Sequence, residues 1–468
     1  MISAIRTAME RAILFSIAVI FIVAQLTNIG SLTFMLGGLV FVAIFLRLPG
    51  LKGMTFWLTA VFSIAGIVLL SMRAAEAKVW FEAAGVNVTI VTLFLFAPLF
   101  GIPVRLPAYV ESLKRFYEAN LRSSTALFAG TQLLTQMLCV FINVGSIPVV
   151  YQMVFVRPRP GMSLLLANAM NRGFAGAILW SPYFAAMTLV TTALQVSWSS
   201  VLPHMLVLAI MSLIISVAMD FRQLQRTEAG IPEPPVQLPP RDEEAFALKA
   251  AKKGQNAAFP YGLGLYLIAS MAVVFLLERL LDLPMVLVIC LSALLFPLLW
   301  CLALGKASCF RHGVHHHVTA TLPALQKEIA LFLSAGFFSG ALGVWQIGTA
   351  VPAILGKIPL LPVPVLFSVL TIVLIVGTSA LGIHPIVLVT ILAGGIDPLA
   401  MQMSPDLFAA LLLGSWAMSN PISPASAVNN LLAGLLKRSV LELASPNYKF
   451  AVCMGGVLIF YLSIASFL

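Results

Sequence analysis

The sequence predicts an all-α polytopic membrane protein with about eleven transmembrane helices and two re-entrant hairpins, arranged as two inverted repeats. The first observation is composition: 60% of the 468 residues are hydrophobic and only 9% are charged, whereas soluble domains carry roughly 25% charged residues. The second is a series of apolar runs that are each long enough to cross a hydrocarbon core of roughly 30 Å. The third is that two runs in each half are interrupted by Gly, Pro, Ser and Asn.

The first part of the chain predicts an N-terminal transmembrane helix in residues 1–30, followed by the first repeat in residues 31–220. Residues 107–122 predict an amphipathic helix in the membrane interface, because their apolar side chains can share one helical face. The polar, Pro-rich residues 221–258 predict a cytoplasmic linker between the two halves. The spans of this part are expected at residues 12–26, 32–46, 54–72, 87–103, 172–194 and 200–220.

The apolar segment at about residues 124–156 predicts a re-entrant hairpin that opens inward. It is interrupted at Asn143–Pro148, and basic residues flank it, with Arg122 before it and Arg157 after it. Lys and Arg are concentrated on the cytoplasmic side of membrane proteins. A segment with basic flanks at both ends is therefore expected to enter and leave on that side.

The second repeat is expected in residues 259–468. A polar stretch with several histidines separates its second and third spans, and residues at about 360–396 predict a second hairpin, which opens outward. Its spans are expected at residues 259–278, 283–303, 329–352, 405–435 and 446–468.

Matching interruptions in the two halves indicate a duplicated fold. The spans 172–194 and 405–435 are each broken by a Ser-Pro pair, and the two pairs lie 242 residues apart. The two hairpins share a Gly-x-x-Pro pattern at a separation of 237 residues. The corresponding positions are Gly145 with Gly382, Pro148 with Pro385, and Ser181-Pro182 with Ser423-Pro424.

The distribution of basic residues predicts the orientation in a bacterial inner (plasma) membrane. With the N-terminus in the cytoplasm, the predicted spans place 23 of the 27 Lys and Arg residues in cytoplasmic segments and only Arg73, Lys78, Arg279 and Lys357 outside. The C-terminus is then expected outside the cell. This asymmetry also accounts for the net charge of +10, so the charge is no sign of a nucleic-acid partner.

The interrupted segments are the predicted binding site of a secondary transporter. Broken helices at membrane depth expose helix ends and free carbonyl groups, which suit anions and small cations. The alternative is that their Ser and Asn side chains only link helices. The expected substrate-binding residues are Asn143, Gly145, Ser146, Ser181, Thr378, His384 and Asn429. The expected cation-binding residues are Asn143, Ser379, Ser419, Asn420, Ser423 and Ser426.

His384 and the acidic residues bear on the coupling ion. Protonated His384 can bind an anionic substrate or relay a proton, and neutral His384 can simply cap the break. All 17 acidic residues fall near expected span ends or in loops, which favours Na⁺ held by neutral oxygens over H⁺ as the alternative. Arg172 is the nearest basic candidate for a substrate anion, and the cytoplasmic bias of basic residues explains it equally well.

Other functional classes have little support in the sequence. The five cysteines are scattered without a C-x-x-C pair, which indicates neither a disulfide framework nor a metal site. The run His312–His317 has no acidic partners nearby and is expected to be a solvated cytoplasmic turn rather than a metal site. Neither an enzyme motif nor a cofactor motif is evident, so we expect a non-enzyme without cofactor or metal.

The order of helices, hairpin, broken helix and helix, repeated in the second half, resembles the ion transporter superfamily, which includes divalent-anion:sodium symporters and arsenite-efflux carriers. Those symporters carry Ser-Asn-Thr at both hairpin tips, where this sequence has Ile142-Asn143-Val144 and the stretch around Thr378–His384. Their broken helices carry a Pro-containing turn that is similar to Ser181-Pro182 and to Asn420–Pro424. The resemblance implies a homodimer in which a transport domain moves against a scaffold.

The resulting expectation is a transporter that moves a small anionic solute with Na⁺ or H⁺ by alternating access. Its partners would be the anionic substrate and membrane lipids. Two alternatives stay open at this point. One is an exporter or flippase of a lipid-linked anion, since the predicted pocket lacks an obvious fixed charge. The other is a non-transporting membrane assembly subunit.

Overall fold

The computed structural model describes residues 2–27, 29–155, 161–228, 260–281, 283–345, 350–358 and 361–466. All regular structure in these residues is helical, as the sequence predicts. The helices of the first half are α1 (Ile2–Thr27), α2 (Ser31–Arg47), α3 (Gly53–Met72), α4 (Ala77–Gly85), α5 (Val88–Phe96), α6 (Gly101–Val104), α7 (Pro107–Asn120), α8 (Ser124–Ile142), α9 (Ser146–Val154), α10 (Ser163–Trp180), α11 (Ala185–Leu194) and α12 (Trp198–Glu228).

The second half has the same alternation of long and short helices. Its helices are α13 (Tyr261–Leu280), α14 (Met285–Ala303), α15 (Ala307–His316), α16 (Leu322–Gly343), α17 (Ala350–Leu355), α18 (Val363–Ala380), α19 (Ile386–Gly395), α20 (Pro405–Ile422), α21 (Ala427–Leu436), α22 (Val440–Ala444) and α23 (Asn447–Ala465).

Eleven helices of the described residues are long and apolar enough to cross a membrane. The predicted number of spans is also eleven, but some of these helices are not the predicted ones. The eleven include α8 with α9, and α18, which the sequence assigns to hairpins, whereas α16 and α20 are not among them. Large apolar side chains such as Phe45, Trp57, Leu280 and Val452 are exposed on the outer faces of these helices. We conclude that the chain is a multi-pass membrane protein.

Several predicted boundaries are wrong. Helix α12 continues to Glu228, so the first eight residues of the predicted 221–258 linker are helical; residues 229–259 lie outside the described residues. The span expected at 87–103 starts earlier, at Ala77, with interruptions before Val88 and at 97–100. The span expected at 329–352 is α16, which begins seven residues earlier. These shifts arise because a helix continues into polar sequence wherever tertiary packing supports it.

The first interrupted segment turns at Asn143. This residue ends α8 with φ 53° and ψ −139°, a positive-φ conformation outside the left-handed helical region, which is strained in a residue that has a side chain. Short 3₁₀ structure at Asn143–Gly145 follows, and α9 packs back against α8. The predicted re-entrant hairpin at residues 124–156 stays a prediction, because α8 and α9 together are also long enough to cross a membrane. Arg157, one of the predicted basic flanks, lies outside the described residues.

Both broken crossing helices are interrupted where the sequence predicts. Ser181 and Ser423 have extended backbones, with ψ of 126° and 125°, so each ends a helix at its Ser-Pro pair. After the second break, Ser426 caps α21 by accepting a hydrogen bond from the Asn429 N–H at 3.4 Å. The prolines lack the N–H that a continuous helix would need at these points.

The helices of the two halves pack in the same pattern. In the first half α8, α10 and α12 pack against one another, and in the second half α18, α20 and α23 do the same. The broken helices α10 and α20 also pack together at the centre, while α9 contacts α21 and α19 contacts α11. A separate apolar cluster joins α1, α2, α4, α5 and α16 at the side of this core. The breaks therefore lie in the most deeply packed part of the protein.

Candidate functional site

Asn429 organises the second break, which we define as Ser419–Asn430. The side chain is fully buried, and its Nδ2 donates to the carbonyl oxygens of Pro421 and Ser423, both at 2.9 Å. Its Oδ1 accepts a hydrogen bond of 2.5 Å from Nδ2 of Asn171 on α10. One amide thus satisfies two carbonyl groups freed by the break and connects the two halves of the chain.

Other predicted site residues also bond within the second break. Ser426 Oγ donates to Asn420 Oδ1 at 2.9 Å, and Ser419 Oγ donates to the carbonyl of Trp416 at 2.7 Å. Ser423 Oγ accepts from the N–H of Ala425 at 3.3 Å. Because a hydroxyl that donates still has lone pairs, Ser419 can accept a further partner such as a cation.

The second hairpin tip lies beside the second break. A Cβ added to Gly382, where φ is +94°, would lie 3.8 Å from Pro424 Cγ. Thr378 Oγ1 donates to the Leu374 carbonyl at 2.6 Å, inside its own helix. Ser379 is fully buried, and its Oγ has no hydrogen-bond partner. A buried hydroxyl without a partner is costly, so Ser379 is a candidate ligand of a bound solute or cation.

His384 follows this tip and lies between two aromatic rings. Its Nδ1 accepts a hydrogen bond of 3.2 Å from the N–H of Ile386, so in the neutral ring the proton is on Nε2. The imidazole centroid is 5.6 Å from the Phe332 ring and 5.8 Å from the Trp416 ring. His384 therefore caps the start of α19 and keeps one N–H for another partner.

The first hairpin is held by its own side chains. Ser146 is buried, and its Oγ donates to the Asn143 carbonyl at 2.7 Å and lies 2.7 Å from Cys139 Sγ. Asn143 Oδ1 accepts from the N–H of Val144 at 2.7 Å. These contacts stabilise the turn, and they stay within the hairpin.

Each hairpin tip lies close to the broken helix of its own half. On the first side, Ser181 Oγ donates to the Val140 carbonyl at 3.4 Å, one turn before the tip. On the second side, Gly382 approaches Pro424 as described above. The hydrogen bond between Asn171 and Asn429 then joins the halves. The second break is thus bonded to α10, and the end of α8 is bonded to the break at Ser181.

Arg172 is held by partners on two other helices. Its side chain is fully buried, and Nη1 lies 2.8 Å from Oδ2 of Asp220 on α12. Nε donates to Oδ1 of Asn447 on α23 at 2.8 Å, and the guanidinium lies 4.9 Å from the centre of the Phe450 ring. Nη2 is buried and has no hydrogen-bond partner. Because the side chain is buried, Arg172 is not a solvated flanking charge, and its role as a ligand of a substrate anion stays a prediction.

Glu328 corrects the expectation that every acidic residue lies near a span end. Since α16 begins at Leu322, Glu328 lies more than a turn inside the helix and is half-buried. It precedes Phe332 by one turn, and Phe332 contacts His384. Glu328 and the residue that contacts His384 therefore lie one helical turn apart on α16. Sequence reasoning missed it because the start of the helix was placed too late.

The histidine run forms a helix, not a turn. It occupies α15 and a π-helical turn at His317–Thr321. His317 is buried, and its Nε2 donates to the Leu95 carbonyl at 2.9 Å. Burial lowers the pKa of His317, and the positive charge of Arg105 lowers it further. Within the described ranges, no group of three or more His, Cys, Asp or Glu side chains could hold a metal ion.

No family model matches the sequence, and no curated protein matches it. Among solved structures, the YdaH transporter of Alcanivorax borkumensis, described as having an unusual topology, is similar. It is 17% identical, with 87% of this chain and 98% of that chain covered, and the TM-score is 0.48. This similarity is too low to establish a shared fold.

Proposed function

We propose that the chain is a secondary active transporter that moves a small anionic solute across the bacterial inner membrane by alternating access. One observation carries the proposal. Two helices, α10 and α20, are broken at Ser-Pro pairs next to other interrupted apolar segments, and they pack against each other. Irregular backbone at membrane depth is tolerated where protein or a water-filled cavity satisfies it, and transporters build binding sites there.

We further propose that the halves are inverted repeats with one hairpin opening to each side. The equivalent packing of α8, α10 and α12 with that of α18, α20 and α23 supports a duplication. Membership of the ion transporter superfamily stays a resemblance at the level of this layout. In this proposal the cluster of α1, α2, α4 and α16 belongs to the scaffold against which the broken helices move.

Two sets of groups are the candidates for ion coupling. Na⁺ would use neutral oxygens of α18 and α20, chiefly those of Ser379, Ser419 and Asn420, because alkali ions bind carbonyl and hydroxyl oxygens without needing a carboxylate. H⁺ would use Glu328 together with His384. The unpartnered hydroxyl of Ser379 supports the first set, and the position of Glu328 inside α16 supports the second.

The test of the function is a ligand screen followed by transport. Purified full-length protein is heated with single anions, with and without Na⁺, and each anion that raises Tm is tested for uptake into proteoliposomes under Na⁺ or pH gradients. We expect at least one anion to stabilise the protein and to accumulate only with a gradient. Binding without gradient-driven accumulation of any stabilising anion would contradict secondary transport.

Three variants are expected to identify the coupling ion. Under Na⁺ coupling, Asn420→Ala weakens the apparent Na⁺ affinity about tenfold, since one good polar contact is lost, and Glu328→Gln has little effect. Under H⁺ coupling, Glu328→Gln abolishes pH-driven uptake, and His384→Gln removes its pH dependence while keeping a hydrogen-bonding side chain. Asn430→Ala is the control for a polar change at the break. Unchanged coupling in both Asn420→Ala and Glu328→Gln would exclude both candidate sets.

The topology predicts which positions a membrane-impermeant thiol reagent reaches. In a background without native cysteines, Lys357→Cys is expected to react from outside intact cells. Arg226→Cys, near the end of α12, is expected to react only after the membrane is opened. Both side chains are exposed. Labelling of position 226 from outside would reverse the proposed orientation.

A further inference from the structure

An open groove lies between α12 and α23 on the outer surface of the protein. Its volume is about 530 Å³, within the range of roughly 300–1,000 Å³ that small-molecule sites have. Large apolar side chains of the same two helices, such as Ile214, Val452 and Phe460, are exposed, so this surface faces lipid. The lining of the groove is apolar apart from one thiol and consists of Ile215, Ala218, Met219, Cys453, Gly456, Val457 and Phe460.

Basic residues continue the lining of the groove on both helices. Residues three or four positions apart share one face of a helix. On α12, Arg222 follows Met219 by three positions, and on α23, Lys449 precedes Cys453 by four. Both basic side chains are exposed. Within the described residues, neither of them forms a salt bridge.

The buried side chain of Arg172 fixes the relative level of the two helices at this end of the groove. It bonds to Asp220 on α12 and to Asn447 on α23, both at 2.8 Å. Arg222 is two positions from Asp220, and Lys449 is two positions from Asn447, which corresponds to about 3 Å of axial rise in each helix. The two cations therefore lie at the same end of the groove and at similar levels.

We propose that this groove binds an anionic phospholipid, with an acyl chain between α12 and α23 and the phosphate at Arg222 and Lys449. Basic residues between transmembrane helices at the membrane surface bind the head groups of anionic lipids. Long basic side chains near helix ends keep their stems in apolar surroundings and extend their charges to the interface. An acyl chain gains little hydrophobic energy when it leaves other lipid tails. The groove therefore contributes fit, and the two charges contribute selectivity.

Such a lipid is a component of the membrane and not cargo, so its binding is independent of the proposed function. In the proposed orientation α12 ends and α23 begins on the cytoplasmic side, and the lipid belongs to that leaflet. Helix α12 packs against α10 and α20, and α23 packs against α20. The lipid would thus lie on the helices that carry the breaks. A failure of the transport test leaves lipid binding untouched.

Lipid binding is measured by native mass spectrometry of the full-length protein released from a non-ionic detergent. Phosphatidylglycerol or phosphatidylcholine with the same tails is added. We expect saturable retention of one phosphatidylglycerol and much weaker retention of phosphatidylcholine. Arg222→Gln and Lys449→Gln are each expected to weaken phosphatidylglycerol about fivefold, the effect of one basic residue near an anionic membrane surface. Arg115→Gln removes an exposed charge from α7; it is the matched control and leaves retention unchanged.

A further variant keeps both charges and fills the groove. A Cβ added to Gly456 would meet no atom within 4 Å, so the fold is expected to tolerate a side chain there. Gly456→Phe should abolish the retention of phosphatidylglycerol and leave Tm unchanged, because the acyl chain loses its space while the protein core is not altered.

Cys453 reports whether the lipid lies in the groove. It is exposed, whereas Cys309 is half-buried and the other three cysteines are buried. In the variant Cys309→Ser, we expect phosphatidylglycerol to slow the alkylation of Cys453 by N-ethylmaleimide in proportion to the bound fraction. The control carries Val452→Cys with Cys453→Ser and Cys309→Ser. Position 452 is exposed at the same depth but does not line the groove, so neither lipid should change its alkylation.

Three results would overturn the proposal. Equal retention of the two lipids would show that the charges do not select the head group. Equal losses in Arg222→Gln and Arg115→Gln would indicate non-specific attraction of anionic lipid to a basic surface. A dimer that protects Cys453 without added lipid, and that Gly456→Phe converts to a monomer, would assign the groove to a second copy of the chain.

Discussion

Replacing Arg172 with methionine is expected to lower the free energy of unfolding by about 3–5 kcal/mol, because it leaves Asp220 as a buried charge without its partner. Arg172 is fully buried and 2.8 Å from Asp220. It also bonds to Ser216 on α12 and to Asn447 on α23, so the change removes a second contact to α12 and one to a further helix. The measurement is reversible unfolding in mixed micelles, with the midpoint compared between variants.

The control for Arg172→Met is a second ion pair between an arginine and a carboxylate, in a more exposed environment. Arg438 and Glu442 are 4.0 Å apart and partly exposed, and such pairs contribute roughly 0–1 kcal/mol. Arg438→Met should therefore have little effect. The double variant Arg172→Met, Asp220→Leu should recover part of the loss, since no unpaired charge remains. If Arg172→Met costs no more than Arg438→Met, the ion pair does not hold the core.

Replacing Asn429 with alanine is expected to cost about 2 kcal/mol of stability, since buried polar groups that lose their partner cost about 1–3 kcal/mol. The Pro421 carbonyl loses the Asn429 donor, the Ser423 carbonyl keeps only the Ser426 N–H, and Asn171 loses its acceptor. The second break would then open or shift. We therefore expect uptake of any transported anion to fall further than the folded fraction does.

The neighbouring asparagine provides the matched control for this variant. Asn430 Nδ2 donates to the carbonyls of Pro424 and Ser426 at 3.1 and 2.9 Å, but the side chain is exposed to a greater degree. Water can replace those bonds, so Asn430→Ala should cost less than about 1 kcal/mol. A double-mutant cycle between Asn171 and Asn429 should give a coupling of about 0.5–2 kcal/mol. Additive effects would mean that this bond does not join the halves.

The candidate site could be predicted only in part. The breaks at Ser181-Pro182 and Ser423-Pro424 occur as expected, because proline removes a backbone donor whatever surrounds it. The roles of the polar side chains near them were not predictable in the same way. Asn429 is a predicted substrate-binding residue, and only the structure shows that its amide bonds to carbonyls of the break and to α10.

Glu328 shows what the sequence interpretation missed. Glu328 was placed at a span end because polar residues before it suggested that the helix had not begun. Helix ends depend on packing as well as on local sequence.

The sequence by itself determined the membrane class, the all-helical architecture and the positions of the main breaks. Each of these depends on composition or on a local backbone property of Gly and Pro. Only the tertiary structure decided which polar groups are paired with one another and which have no partner. Arg172 finds its partners 48 and 275 residues away, and in a low-dielectric core such a partner decides whether a buried charge supports the fold or is free to meet a ligand.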